Sequence, residues 1–389
     1  MNAAAATFPI PAWARTAVAP TGGALAACQP HELGAPLVAR LLAQTGLPAD
    51  AVDAVVLGNA LGAGGNPARV LALAAGLRED CQAVTLDSQC CAGLDAVTHG
   101  CALLALGQAQ VVIAGGAEAW SRAPQRLHRP LDGGAPVPYE QPAFTPWPAR
   151  DPDMLQSACD WACRNGITRA AQDAYALHSH QRSLAARAAM AGEIVPVQAL
   201  AHDAYVRAGM TVQRAARLPA VRAGQAPAGA DCSLGQLGVS PRADGAALVL
   251  LASDAACVRW RLPVRMRWCG SVSLGCAPDW PMQGAAAAAR AAAARSGWAL
   301  AGLDALELHD AFAAQGLLFC AELGLDANQV NRQGGGLARG HPIGASGAVA
   351  LVRLLAQLHA QAQARRRPQR GLACIAGAGG LGTATWVKA

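Results

Sequence analysis

A strand–turn–helix–strand succession occurs twice in this chain, and it restricts the fold more than any other feature. Residues 81–120, CQAVTLDSQCCAGLDAVTHGCALLALGQAQVVIAGGAEAW, read as an apolar strand, a tight turn, a helix and a second apolar strand, preceded by a short strand in AVDAVVLGNA at 51–60. A comparable order returns in the later half. LDALELHDAF at 303–312 is followed by a loop and helix over PIGASGAVALVRLLAQLHAQ at 342–361, then by GLACIAGAGGLGTATWVKA at 371–389 as two strands joined by glycines. Strands alternating with helices predict mixed sheets covered on both faces, here as two similar α/β halves.

Between the halves the composition changes. Residues 121–243 are rich in proline, arginine, aspartate and glutamine, with a helix expected over 167–192 between irregular segments. This stretch reads as an insertion mounted on the first half, with 1–120 and 244–265 forming the N-terminal half and 266–389 the C-terminal half. A chain of 389 residues that is 53% hydrophobic has enough apolar material for such a multi-domain core. The alanine-rich run beginning at Gln283 is a strong helix former and is expected on the surface.

The formal charge of +6 is modest for this length and the arginines are scattered, which argues against nucleic-acid binding and leaves room for a polyanionic small molecule. No long charge-free apolar stretch or basic leader stands out, so no membrane partner is expected and a cytoplasmic location is the default. Thirteen cysteines, an odd number without a CxxC pair, fit a reducing compartment. Cys159 and Cys163 fall on one helical face, with no second ligand pair to make a metal site.

Three elements carry chemistry. Cys90 follows a predicted strand and opens a predicted helix, where backbone amides and the helix dipole favour a thiolate. Its neighbour Cys91 is the rival, since two adjacent side chains at one turn cannot both enter one pocket. In GHPIGASG at 340–347, His341 sits among glycines that permit close backbone approach and can take a thiol proton. His309 leads HDAF at 309–312. GAGGLG near the C-terminus opens no helix and is not a dinucleotide fingerprint, so neither a nicotinamide cofactor nor a metal is implied.

Seven segments in order then resemble the thiolase superfamily: NPARVLALAAGL at 66–77, TLDSQCCAGLDAV at 85–97, AGGAEAWSRAP at 114–124, GITRAAQDAYALHSHQRS at 166–183, DGAALVLLAS at 244–253, HDAFAAQ at 309–315 and VNRQGGGLARGHPIGASGA at 330–348. The resemblance implies a five-layered α-β-α-β-α core, a loop domain at 121–243 that helps bind coenzyme A, and a homodimer or homotetramer. It implies acyl transfer between acyl-CoA or 3-oxoacyl-CoA and coenzyme A, the latter a substrate or product rather than a tightly bound cofactor. Cys90 takes the position of the acyl-accepting cysteine, His341 of its activator and His309 of an oxyanion-hole group. Gly380 matches a glycine whose amide serves a second oxyanion hole, and Asp310 stands where glutamate is more frequent, as an orienting group or a helix cap. Ser240, Ser346 and Arg217 match coenzyme A contacts, although Arg217 is displaced by one residue from the usual arginine.

One departure matters. Ungapped matching puts Ala376 where thiolases carry the cysteine that shuttles the α-proton, and the position after the HD pair used by related enzymes is Ala311. Cys374 lies two residues upstream of Ala376, roughly 6–7 Å away along a strand, and is the alternative shuttle. Two chemistries compete: thiolytic cleavage or Claisen condensation with an atypical shuttle, and decarboxylative condensation of the ketoacyl-synthase type, which needs no α-proton removed. A degenerate, non-catalytic scaffold is the third reading.

Overall fold

The computed structural model describes residues 6–226, 229–365 and 367–389. Two mixed sheets form its frame. The first runs in the order Ala12–Arg15, Ala243–Ala252, Val111–Ala119, Ala54–Gly58 and Gln82–Leu86, with Ala19–Pro20 also pairing with Ala243–Ala252. The second runs Phe8–Ile10, Met266–Gly275, Leu381–Lys388, Arg370–Gly377 and Ala305–His309. Strand Phe8–Ile10 therefore belongs to the second sheet, pairing antiparallel with Met266–Gly275. That corrects the assignment of the whole N-terminal stretch to the first half, because pairing with a partner more than 250 residues away leaves no local signal.

The central strands are buried along their whole length, and alternate residues face alternate layers. Helices Ala92–Ala105 and Ser346–Arg365 lie between the sheets, where Leu94, Val97, Val349, Val352 and Leu355 pack with Val56 and Val112 of one sheet and Ala373 and Ile375 of the other. On the outer face of the first sheet, Leu33, Leu37 and Leu41 of helix Pro30–Thr45 meet Val55, Leu57 and Leu250. Beyond the second sheet, helix Gly284–Ser296 and helix Ala313–Leu323 cover Leu306, Leu308, Leu372 and Cys374. The order is α-β-α-β-α. The alanine-rich helix lies on the surface as an outer layer, with Arg290 and Arg295 exposed and Ala285, Ala288, Ala289 and Ala292 buried against the sheet. Small side chains let its backbone approach closely, and a Cβ on Gly284 would strike the Leu381 carbonyl.

Residues 121–243 carry helices Met154–Arg164 and Arg169–Ala185, a hairpin of Arg126–His128 with Val137–Tyr139, and a ribbon of Ala220–Arg222 with Leu234–Gly235. Thr168 caps the second helix by accepting from the Ala171 amide at 3.2 Å. The helix ends at Ala185, so the single helix expected over 167–192 is two pieces, the second being the short turn Arg187–Met190. A buried ionic network pins this segment to the core: Arg15 bonds Glu193 at 2.6 Å and Asp203 at 2.7 Å, and Arg353 of the central helix bonds Glu193 at 2.5 Å.

Candidate active site

Strand Gln82–Leu86 turns sharply into helix Ala92–Ala105, and Cys90 occupies the turn. The bend is strained, since Gln89 has φ +55° in the left-handed region that disfavours a side chain. Asp87 holds it there by accepting from the Gln89 amide at 2.8 Å and from Nε2 at 3.1 Å. The two adjacent thiols diverge. Cys90 lines a cavity of about 330 Å³, whereas Cys91 points under the turn toward the Ile375 carbonyl and Gly377.

His341 reaches the same cavity from the loop that opens the second central helix. Its Nε2 lies 3.2 Å from the Cys90 Sγ, across 251 residues of sequence. The other ring nitrogen fixes the tautomer. Ser346 donates its hydroxyl proton to the Pro342 carbonyl at 3.0 Å, so at 2.7 Å it accepts from His341 Nδ1–H, leaving Nε2 with a free lone pair facing the thiol. Burial pushes the His341 imidazole down to about 4 and the Cys90 thiol up to about 12, the latter opposed by the amides of Ala378 and of Cys90 itself. The resting pair is thus a neutral thiol donating to a neutral imidazole. The helix terminus alone does not make a standing thiolate, because desolvation outweighs it.

His309 closes the strand Ala305–His309 and stacks on His341, with ring centroids 4.4 Å apart and planes at 28°. Burial, then His341, then Arg339 hold its pKa well below the ordinary value, so it is neutral, and its Nε2 is buried without a hydrogen-bond partner among the described residues. Asp310 behind it does not cap the following helix. It accepts from the Tyr175 hydroxyl at 3.1 Å and the Leu337 amide at 3.4 Å, tying the HD pair to the inserted segment; burial raises its pKa to about 6.

The remaining expected positions separate. Gly380 adopts φ +81° in the C-terminal turn and its carbonyl accepts from the Cys276 amide at 2.6 Å, whereas the backbone amides that favour a Cys90 thiolate are those of Ala378 and of Cys90 itself. Tight-turn glycines mark the turn without saying which amide faces inward. Ser240 lines the cavity with its hydroxyl bonded to the Gly336 carbonyl at 2.7 Å. Ser346 is fully buried behind His341 and positions the imidazole. Arg217 is exposed at the end of helix Val212–Ala216, away from the cavity lining. Ala376 and Ala311 both line the cavity, whereas Cys374 faces the outer helical layer, fully buried, with its thiol pushed far up by burial.

The cavity runs between the catalytic loops and the inserted segment, which contributes Glu140, Phe144, Met154, Leu155 and Val239. The match to known proteins spans the whole chain: the thiolase N-terminal domain family covers residues 10–255 and the thiolase C-terminal domain family 263–389. The chain belongs to the thiolase family. It is 40% identical, over 95% of its length and 96% of the relative's, to an acetyl-CoA acetyltransferase of Pseudomonas aeruginosa. A probable acetyl-CoA acetyltransferase of Escherichia coli is 36% identical over 96% of this chain and 97% of its own. The crystal structure of human mitochondrial 3-ketoacyl-CoA thiolase in complex with CoA superposes with a TM-score of 0.87 at 26% identity, covering 98% of each chain. For this thiolase, sequence reasoning missed the Ala378 amide and the apolar wall of Met154, Phe144 and Met282, which local periodicity treats as ordinary core.

Proposed function

We propose that this protein transfers acyl groups to and from coenzyme A through a thioester on Cys90, as the names of its thiolase relatives suggest. The observation that carries the reading is the 3.2 Å contact of Cys90 Sγ with the lone pair of His341 Nε2, beside an inward amide of Ala378. As an acyl-CoA carbonyl reaches the sulfur, the thiol proton passes to His341 Nε2 while Sγ bonds the carbonyl carbon and the oxygen gathers charge against the Cys90 and Ala378 amides; the C–S bond to coenzyme A then breaks and His341 returns the proton to the departing thiolate. His309, neutral and with an unpaired Nε2, suits the oxygen of a second thioester or its enolate. Ser240 and the inserted segment are the pantetheine contacts in this reading, with Arg217 at the nucleotide end. Intact-protein mass spectrometry with acetyl-CoA should find one acyl adduct, lost in Cys90→Ser; an adduct that survives the substitution sinks the assignment.

A second chemistry is favoured by one observation: alanines at 376 and 311 line the cavity, and Cys374 is sequestered in the core. Among the described residues Cys90 is the one thiol on the cavity wall, so none of them offers a second thiol to move an α-proton. Decarboxylative condensation avoids that step, because loss of CO₂ generates the carbanion. Release of CO₂ from malonyl-CoA in the presence of the acylated protein distinguishes it from thiolysis. Self-association into a homodimer or homotetramer and a cytoplasmic site of action complete the proposal, and sedimentation reads the first directly.

A further inference from the structure

Glu118 is a buried carboxylate that makes no ion pair among the described residues. It lies near the end of strand Val111–Ala119 and is 1% exposed. Its Oε1 accepts from Asn59 Nδ2 at 2.7 Å, and its Oε2 accepts from the Ala60 amide at 2.8 Å and the Gly344 amide at 2.9 Å. Two loops thus meet on one carboxylate: 59–61, which contributes Leu61 to the cavity, and the 341–345 loop that carries His341. The 341–345 loop is seated in a glycine socket. A Cβ on Gly344 would lie 2.7 Å from the Asn59 Cα, one on Gly58 would lie 2.6 Å from the Gly344 carbonyl oxygen, and one on Gly116 would collide with that same oxygen. Only backbone fits there, and Glu118 is the side chain that ties this loop to the 59–61 loop, while Ser346 holds Pro342 and the imidazole from the helix side.

We propose that Glu118 is a positioning residue of the acyl-transfer site, a carboxylate that fastens the His341 loop to the 59–61 loop and so keeps the imidazole on Cys90. The role rests on the acyl-transfer reading above. Its chemistry requires a pure acceptor, because every group facing it donates. Asn59 cannot turn its amide to help: Nδ2 also donates to the Ala117 carbonyl at 2.9 Å, and Oδ1 accepts from the Gly62 amide at 3.0 Å. Around Glu118 the titratable or charged groups are Asp87 beyond strand Gln82–Leu86, Cys90 on the turn, His341 on its own loop, and Arg126, which bonds the Ala60 and Leu61 carbonyls. Burial raises the Glu118 carboxyl to about 7, against the amides of Ala60, Gly344 and Leu61 that favour its ionised form. As pH falls through that value the acid form brings a donor among donors, and the loop loses its fastening.

The test is the single-turnover rate of Cys90 acylation by saturating acetyl-CoA, read by intact mass across neutral pH. In Glu118→Gln the rate should fall by roughly ten- to a hundredfold, as expected when a charge-assisted hydrogen-bond acceptor is lost, with coenzyme A affinity unchanged. The decline that the parent shows as pH falls through neutrality should vanish in that variant. Cys90 at about 12 and His341 at about 4 titrate elsewhere, and Asp310, at about 6, is untouched by the substitution. Should Glu118→Gln not fold, Asn59→Ala removes one donor from the carboxylate and should move the same decline to higher pH. A decline that stays in place in Asn59→Ala, or that persists in Glu118→Gln, overturns the role. A parent that forms no adduct sinks the acyl-transfer reading together with this role, whereas an acylating parent matched by Glu118→Gln sinks the role of Glu118 alone.

Discussion

At the residue scale the site is a thiol–imidazole contact whose geometry is set by its neighbours and which the proposed function makes a proton-transfer pair. His341→Ala should slow Cys90 acylation by roughly 10²–10⁴-fold, the usual contribution of a positioned general base; an unchanged single-turnover rate removes His341 from the mechanism. Ser346→Ala frees Nδ1 from its acceptor and lets the other tautomer populate, so acylation should slow while coenzyme A affinity holds, measured by titration calorimetry. A loss of affinity with an unchanged rate would instead make Ser346 a ligand contact. Cys90 and His341 were legible in the sequence because a nucleophile at a strand-to-helix turn and a histidine among glycines each leave a local mark. Ala378 and Gly380 were not separable, since the turn's glycines reveal where the chain bends but not which amide points inward. Glu118 lies within AGGAEAWSRAP, one of the segments that carry the resemblance, but its role was not legible, because its partners come from loops distant in sequence.

At the element scale, the turn after Gln82–Leu86 and the loop before Ser346–Arg365 depend on close backbone approach. Gly58→Ala places a methyl 2.6 Å from the Ala92 carbonyl carbon, the Gly93 nitrogen and the Gly344 oxygen, all of them backbone atoms that cannot rotate away. The expected cost is about 1–3 kcal/mol, as for other overpacked sites, with a matching fall in melting temperature and acylation; a variant as stable and as active as the parent would show that the socket is loose. Periodicity identified the central helices, and their roles followed from the turns they open. It placed the helix at 284–296 on the surface, where Arg290, Ala294 and Arg295 are exposed, but not the face packed on the sheet, because alanine's propensity argues for helix while saying nothing of which face is covered. The break at Ala186 was equally silent, as RAAM is a good helical sequence that here forms its own short turn.

Over the whole molecule, the inserted segment is held to the two-sheet core by charges taken out of water. Removing Arg353 would leave Glu193 with one of its two buried cations, and Arg353→Leu should destabilise the fold by about 3–5 kcal/mol in denaturant titrations. Stability retained within error would show the pair to be dispensable. Burial alone would raise Asp203, but Arg15 at 2.7 Å reverses this and holds it below its ordinary value. Its contribution is therefore present above the unfolded carboxylate range and is lost as pH falls through the folded value, so unfolding free energy should decline in strongly acidic buffer, less so in Asp203→Asn.

The same scale frames the central claim of the proposed function: Cys90 and His341 carry acylation at a cavity that, among the described residues, no second thiol lines. Coenzyme A-dependent cleavage of acetoacetyl-CoA, measured beside the rate of Cys90 acylation in the parent and in Ala376→Cys, tests this most directly. Acylation needs no α-proton transfer, and cleavage must protonate the departing carbanion. The account predicts rapid acylation with slower cleavage in the parent, and faster cleavage once a thiol stands at 376. Cleavage that keeps pace with acylation in the parent and does not respond to Ala376→Cys would contradict it.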